Sequence, residues 1–279
     1  MEKTMENVER TQDALQLEAL LVSRAYLYTL FHKLMGGEPN EQLLASLLDD
    51  TAADVIDEFA AGSEELKAFG EFLTELRADE ASDLLDRASD EYTRVFVGPA
   101  ALPASPYESP YTGAHDMSLF QENTLAVRGI YHAHGLRVRR EQAVPDDHVA
   151  IMCAYMAKLA DRALEAFHAG DSAALADLLR DAGSFVEAHL ANWVGIFAES
   201  VRNSKAGAAA VMYPQILEVF AAFVRADIAF TVEAAYWAQC NSLEPQGLAP
   251  ELEPACAALE GIAAVRPFGI QDNELVNLD

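Results

Sequence analysis

Apolar residues recur at steps of three and four along most of this chain, and the stretches that break the rhythm are short. Leu20, Leu27, Phe31 and Leu34 share one narrow helical arc, so residues 14–35 are expected to form a buried helix stopped by Gly36 and Gly37. Shorter amphipathic segments follow at 39–49, 51–61, 64–78 and 81–97, separated by Gly, Ser and Asp. Another helix is expected over 117–135, ending at Gly135. After the polar connector "LRVRREQAV" a further one starts at Pro145, a residue suited to the first helical position, and runs to about His168. Leu178, Ala182, Phe185, His189, Trp193 and Phe197 form one apolar stripe over 172–202, which fits either one helix or two abutting ones. The last helix spans about 207–239, with Ile216, Phe220, Phe223, Phe230 and Trp237 on one side, and Pro214 either bends it or marks a late start. No run of alternating β-branched residues occurs, so no sheet is expected, and there is no internal repeat. The pattern predicts an all-α fold, a single compact domain of about ten helices over 14–240. A flexible segment precedes it (1–13), and a Pro/Glu-rich, mostly irregular tail follows (241–279) and lies across the body.

One stretch stands apart. Residues 91–113, "EYTRVFVGPAALPASPYESPYTG", end an amphipathic run and then place prolines at 99, 103, 106 and 110 around Tyr107, Glu108 and Tyr111. Solvated loops are usually rich in Gly, Ser and Asn. This one is either a stiff strap packed on the core or a rigid aromatic rim with a carboxylate, suited to a peptide bearing guanidinium groups.

Charge narrows the function. The chain carries 45 acidic and 19 basic residues among 279, a formal net of −26. Such a field repels nucleic acid and anionic membranes and draws in cationic partners. Three cysteines, Cys153, Cys240 and Cys256, lie far apart without CxxC spacing, which points to a reducing cytoplasm rather than a disulfide framework. The N-terminal residues lack the layout of a secretory signal, and the apolar stretches are Ala-rich and interrupted, as in buried helices rather than membrane spans. Phosphate-binding glycine loops and the nucleophile elbow are absent. His132 and His134 point apart on a helix, His115–Asp116 and His148 lack a chelating pattern, and neither a metal nor a cofactor is expected. In "PDDH" (145–148), Asp146 and Asp147 are placed to cap the next helix, while His148, one turn in, gains nothing from the dipole and is expected to bond to something specific. Asp147 with His148 could also act as a general base in a small helical hydrolase, although no nucleophile or oxyanion donor accompanies them.

These residues resemble the TorD/DmsD/NarJ group of redox-enzyme maturation chaperones. "EYTRVFVGP…SPYESPY" is similar to that family's acidic-aromatic helix ending in F-x-G-P and running into P-Y-E-S. "Y…GL" at Tyr131–Leu136, "VPDDH" at 144–148 (family E-P-x-D-H) and "HLANWVGIF" at 189–197 (family H-L-x-x-W-x-x-x-F) follow in order. The resemblance covers roughly residues 15–240. It implies an all-helical cytoplasmic chaperone, not an enzyme. The expected client is the catalytic subunit of a molybdopterin oxidoreductase, held by its twin-arginine signal peptide or as apo-protein until the cofactor is inserted. A NarJ-like variant would attend a client without an export signal, and an acidic helical scaffold for basic proteins is the other binding alternative. Carried over residue by residue, the client surface would comprise Glu91, Tyr92, Phe96, Pro106, Tyr107, Glu108, Tyr111, Asp146, Asp147 and His148. Val144 stands where the family has Glu, which leaves Glu91, Glu108 and Asp146 as the carboxylates to meet the client's arginines. The chain is expected to be a monomer or a dimer formed by helix exchange through 136–144.

Overall fold

The computed structural model describes residues 2–78, 83–98, 101–112, 122–139, 145–262 and 275–278, with side chains from residue 12 onward except that of residue 122. The first helix, α1, spans Glu2–Gly36 and starts well before the expected residue 14. Four shorter helices follow: α2 (Glu41–Leu47), α3 (Asp50–Asp57), α4 (Glu64–Ala78) and α5 (Leu84–Tyr92), the last continued by a π-helical turn over Thr93–Val97. Asn40 and Asp49 cap α2 and α3 with their side chains, accepting from the backbone N–H of Leu43 and Thr51. The proline loop ends in one turn, α6 (Ser109–Thr112), before α7 (Glu122–Ala133).

The second half holds the long core helices. These are α8 (Val149–His168), α9 (Ser172–His189), α10 (Val194–Arg202) and α12 (Tyr213–Cys240), with a single turn, α11 (Lys205–Ala208), before the last. The apolar stripe over 172–202 is thus two helices, broken at 190–193. Pro214 sits in the first turn of α12, where its missing N–H leaves no bond unmade.

Two antiparallel pairs make the centre. Helices α1 and α8 run in opposite senses, with Glu18 beside His168 (2.7 Å) at one end and His32 bonded to the Ala150 carbonyl (2.8 Å) at the other. Helices α9 and α12 come together at Gly183, where any β-carbon would lie 2.7 Å from Thr231 Oγ1. Across the middle, Arg24 of α1 donates Nε and Nη2 to Asp227 of α12 (2.6 and 3.1 Å), and the Tyr28 hydroxyl donates to the same carboxylate at 2.6 Å. Arg24, Tyr28 and Asp227 are all fully buried, and burial together with the Asp227 charge pushes the Tyr28 phenol well above its usual range. Aromatic rings surround this polar centre: Tyr28 and Phe59 meet Phe223 edge-on at 5.0 and 5.1 Å. A buried ion pair gains little net stability over apolar packing, but it fixes the register of α1 on α12, since any slip leaves both charges uncompensated.

One expectation is corrected. The stretch 136–138, placed in a polar connector, is a strand, β1 (Leu136–Val138), paired antiparallel with β2 (Leu275–Asn277) of the tail. An all-α pattern with no sheet missed it because each strand is three residues long and borrows its partner from far along the chain. Leu136 and Val138 are buried in that pairing, and residues 140–144 of the expected linker lie outside the described residues. The tail itself carries a short helix, α13 (Glu253–Ala257), against α1. All three cysteines are unbridged.

Replacing Asp227 with Ala leaves the Arg24 guanidinium buried without its counter-charge. Urea unfolding should show a loss of about 3–5 kcal/mol. A loss below about 1 kcal/mol would show the pair to be dispensable.

Candidate functional site

The quoted motifs converge on one corner, where the proline loop lies across the start of α8. The Pro106 carbonyl accepts from Val149 N–H (2.9 Å) and Glu108 N–H donates to the Asp147 carbonyl (3.1 Å), so Tyr107 and His148 pair as in an antiparallel ladder. Their rings meet edge to face at 4.9 Å. Pro106 is buried in this contact. The prolines pre-set φ and lower the entropy lost on ordering the strap.

The two aspartates do different work. Asp147 accepts from Ser109 N–H (3.0 Å), Ser109 Oγ (2.5 Å) and Thr124 Oγ1 (3.1 Å), which ties α6 and α7 to the start of α8. Asp146 is gripped by Arg128, whose Nε and Nη2 donate to one carboxylate oxygen at 3.1 and 2.7 Å, while Tyr131 OH donates to the Asp146 carbonyl (3.1 Å). The expectation that both cap α8 is corrected. That helix begins at Val149, and its N-cap is His148, whose Nδ1 accepts from Ala150 N–H at 3.1 Å. Pro145 therefore stands ahead of the helix rather than in its first turn. An imidazole used as an acceptor must be neutral, and burial beside His32 lowers its pKa to about 3. Asp147 and His148 are committed to different partners, so they form no acid–base dyad.

Glu108 and Tyr111 meet the H-L-x-x-W stretch. Glu108 faces His189 Nδ1 at 3.1 Å, Trp193 Nε1 donates to the His189 carbonyl at 2.6 Å, and the Tyr111 ring stacks on Trp193 at 5.3 Å. The Tyr111 hydroxyl donates to the Ser105 carbonyl (2.8 Å), closing the loop on itself.

Glu91 lies apart from this corner. Its carboxylate accepts from the backbone N–H groups of Val211 (2.9 Å), Met212 (3.1 Å) and Tyr213 (2.5 Å), which are the free donors at the start of α12. Burial pushes the carboxyl up, against the downward pull of those three amides, and the net shift is upward. Tyr92 and Phe96 are core rings packed on each other (5.2 Å) and on Tyr213 (6.0 and 5.4 Å). The glycine that follows has φ +93°, a left-handed conformation that explains the small residue in F-V-G-P.

Of the two readings left open for the loop, its packing against α8 is that of a stiff strap on the core. Glu91, Glu108, Asp146 and Asp147 are 0–2% exposed and each meets partners within the chain, because a buried carboxylate with no partner is costly. Tyr107 and Tyr111 are half-buried, and among residues 106–112 only Pro110 and Thr112 are exposed. Sequence reading missed Thr124, Arg128, His189 and Trp193 as partners. Thr124 and Arg128 carry a usable signal, since they stand four residues apart on one face of α7. Val144 and His115–Asp116 lie outside the described residues. Among the described residues no cluster of His, Cys, Asp and Glu could hold a metal ion, and no helix is long and apolar enough to cross a membrane.

Hollows lie elsewhere. An acid-rimmed one of about 760 Å³ sits between the start of α2 and α5, lined by Glu38, Glu41, Asp86 and Asp90. An apolar groove of about 260 Å³ separates α1 from α12 at Leu17, Leu20, Phe230 and Trp237. A third, of about 520 Å³, lies along the α1–α8 seam beneath α13.

Residues 56–199 match the sequence pattern of the family described as nitrate reductase delta subunit. The chain is also 29% identical to a protein named chaperone protein TorD from Shewanella oneidensis over 183 residues, 64% of this chain and 76% of that one. A protein of the same name from Vibrio cholerae is 30% identical over 188 residues, 66% and 82% of the two chains. A probable Tat proofreading chaperone DmsD from Haemophilus influenzae is 30% identical over 78 residues, 28% and 38% respectively.

Two outcomes are expected. Because folded His148 stays neutral down to about pH 3 while the unfolded residue protonates near 6.5, its contribution is complete above 6.5 and is lost as pH falls toward 3. His148→Asn keeps the cap without the titration, and urea titrations between pH 6 and 4 should lose up to about 1.4 kcal/mol per pH unit of slope relative to the parent. An unchanged slope would contradict the neutral cap. Glu91→Ala should cost about 2–3 kcal/mol by the same measurement, from the stripped α12 amides.

Proposed function

Because the chain belongs to the nitrate reductase delta subunit family, we propose that it is a cytoplasmic maturation chaperone for the catalytic subunit of a molybdopterin-dependent oxidoreductase. It binds the client's N-terminal segment, a twin-arginine signal peptide where the client has one, and keeps the apo-subunit from export until the cofactor is in place. The family match carries this reading, and its sequence motifs are present here in order.

The physical character of the chain supports it. A net charge of −26 draws in a segment that begins with arginines and speeds its capture at low salt. Helical seams offer apolar floors for the segment's greasy half, and binding couples to its folding. The motif corner supports the reading indirectly. Its carboxylates hold the proline loop to α7, α8 and α9, which keeps the surrounding helix faces rigid, and the half-buried Tyr107 and Tyr111 leave one aromatic edge for the client. A client without an export signal, as the nitrate reductase name of the family suggests, would be held through its N-terminus in the same way.

Tagged protein purified from its native cell should bring down a molybdenum oxidoreductase catalytic subunit in its cofactor-free form. Removing the client's N-terminal segment should abolish the association, and raising salt from 50 to 500 mM should weaken it by about tenfold or more. Co-purification of unrelated basic proteins with no such subunit would leave only an acidic scaffold.

A further inference from the structure

The tail after α12 is fastened to the body at several points. Leu243 N–H donates to Ser172 Oγ (3.0 Å), Gln246 N–H to the His168 carbonyl (2.9 Å), and Ala249 N–H to Glu18 Oε1 (3.2 Å). Further on, Ser46 Oγ donates to the Ala258 carbonyl (3.2 Å) and Lys33 Nζ to that of Ile262 (2.6 Å). The path is built in, since a β-carbon on Gly170 would lie 2.8 Å from Pro245 N. Residues 249–262 thus roof the α1–α8 seam, with Leu259 and Ile262 turned inward and 6–7% exposed.

The roof fits its seat poorly. The middle of the floor has small side chains, Ala25, Thr29, Ala154 and Ala157, beside Val22, Tyr26 and Leu164; the roof contributes Ala255, Cys256, Leu259 and Glu260, and a hollow of about 520 Å³ remains along the seam. An under-filled hollow forfeits dispersion contacts that larger side chains would make against its apolar lining. The Cys256 thiol is pushed up by burial first and then by the charges of Asp161, Glu18, Glu260 and Glu253.

The seam has a direction. Glu18, Asp161 and Glu165 face one end, and Lys33 with His32 faces the other. Lys158 and His168 also reach the acidic end, and each leans on a carboxylate there, Lys158 on Asp161 at 3.9 Å and His168 on Glu18 at 2.7 Å. The strap already obeys this polarity, giving an N–H of its leading end to Glu18 and a carbonyl of its trailing end to Lys33. From Glu18 to Lys33 along α1 is about 22 Å, the length of a helix of about 15 residues.

We propose that the α1–α8 seam is a docking groove for an amphipathic helix with cationic residues at its N-terminal end, and that residues 249–262 are an intramolecular strap which such a helix displaces. The inference rests on the chaperone reading and assigns it a site. An incoming helix places its arginines on Glu18, Asp161 and Glu165, its bulky apolar face in the hollow, and its last carbonyls on Lys33. The displaced strap remains tethered through α12 on one side and β2 on the other, so it competes as a local ligand and reseals the groove when the helix leaves.

The probe is a synthetic peptide of about 15 residues, two arginines followed by a Leu/Ala helix, compared by fluorescence anisotropy with a peptide of reversed order on the full chain. The arginine-first peptide should bind about tenfold tighter than its reverse. Leu259→Asp, which loosens the strap, should tighten binding about tenfold, and Glu18→Gln with Asp161→Asn should weaken it about tenfold. On the parent chain, peptide should also speed alkylation of the half-buried Cys256 by about fivefold or more while the exposed Cys240 serves as reference. Peptide binding that ignores order and both variants, or that protects Cys256, overturns the groove and leaves the chaperone reading intact. Absence of binding to both the parent and Leu259→Asp overturns the groove whether or not a client subunit co-purifies.

Discussion

A carboxylate taken out of water must be met on its oxygens by donors, and this molecule depends on how it meets that demand. Asp227 takes Arg24 and Tyr28 and sets α1 against α12. Glu91 takes three amides at the start of α12, Asp147 takes Ser109 and Thr124, and Asp146 takes Arg128. Each acid joins separate elements of the chain, so loss of any one leaves its donors unsatisfied. The acidic surface that gives the chain its charge is a separate matter, because those residues lie at the surface and these do not.

This division explains which parts of the molecule were legible in the sequence. Long helices were, since burial of one face imposes a 3.6-residue period that Leu27, Phe31 and Leu34 or Phe220 and Phe223 display directly. The two-stranded sheet was not, because three residues carry no period and their partner lies near the other end of the chain. The helix start at Val149 was misread because His148, an uncommon N-cap, supplies an acceptor that Asp or Ser usually provides. Motif spacing pointed correctly to residues that meet: the Glu108–His189 and Tyr111–Trp193 contacts join stretches some eighty residues apart. It did not tell which way their side chains face. An acidic residue in an apolar setting looks the same in a sequence whether it awaits a cationic partner or already holds one of the chain's own.

The functional picture shifts accordingly. The motif corner fastens short helices and a long loop together, and the proposal places client recognition on the helical seams beside it. Among these the α1–α8 seam has direction, an under-filled floor and a resident segment already lying along it. The proposed holding of a client until its cofactor is inserted requires release as well as capture, and the proposed tethered competitor would supply release without any change in the core.

A client N-terminal peptide with a photo-crosslinking residue beside its arginines, irradiated on the full chain and mapped by mass spectrometry, tests this division most directly. The account predicts adducts on α1 and α8 around Glu18 and Asp161, with few on residues 106–111. Adducts concentrated on the proline loop and on 146–148 would contradict it, since those side chains would then have to leave their internal partners to meet the client.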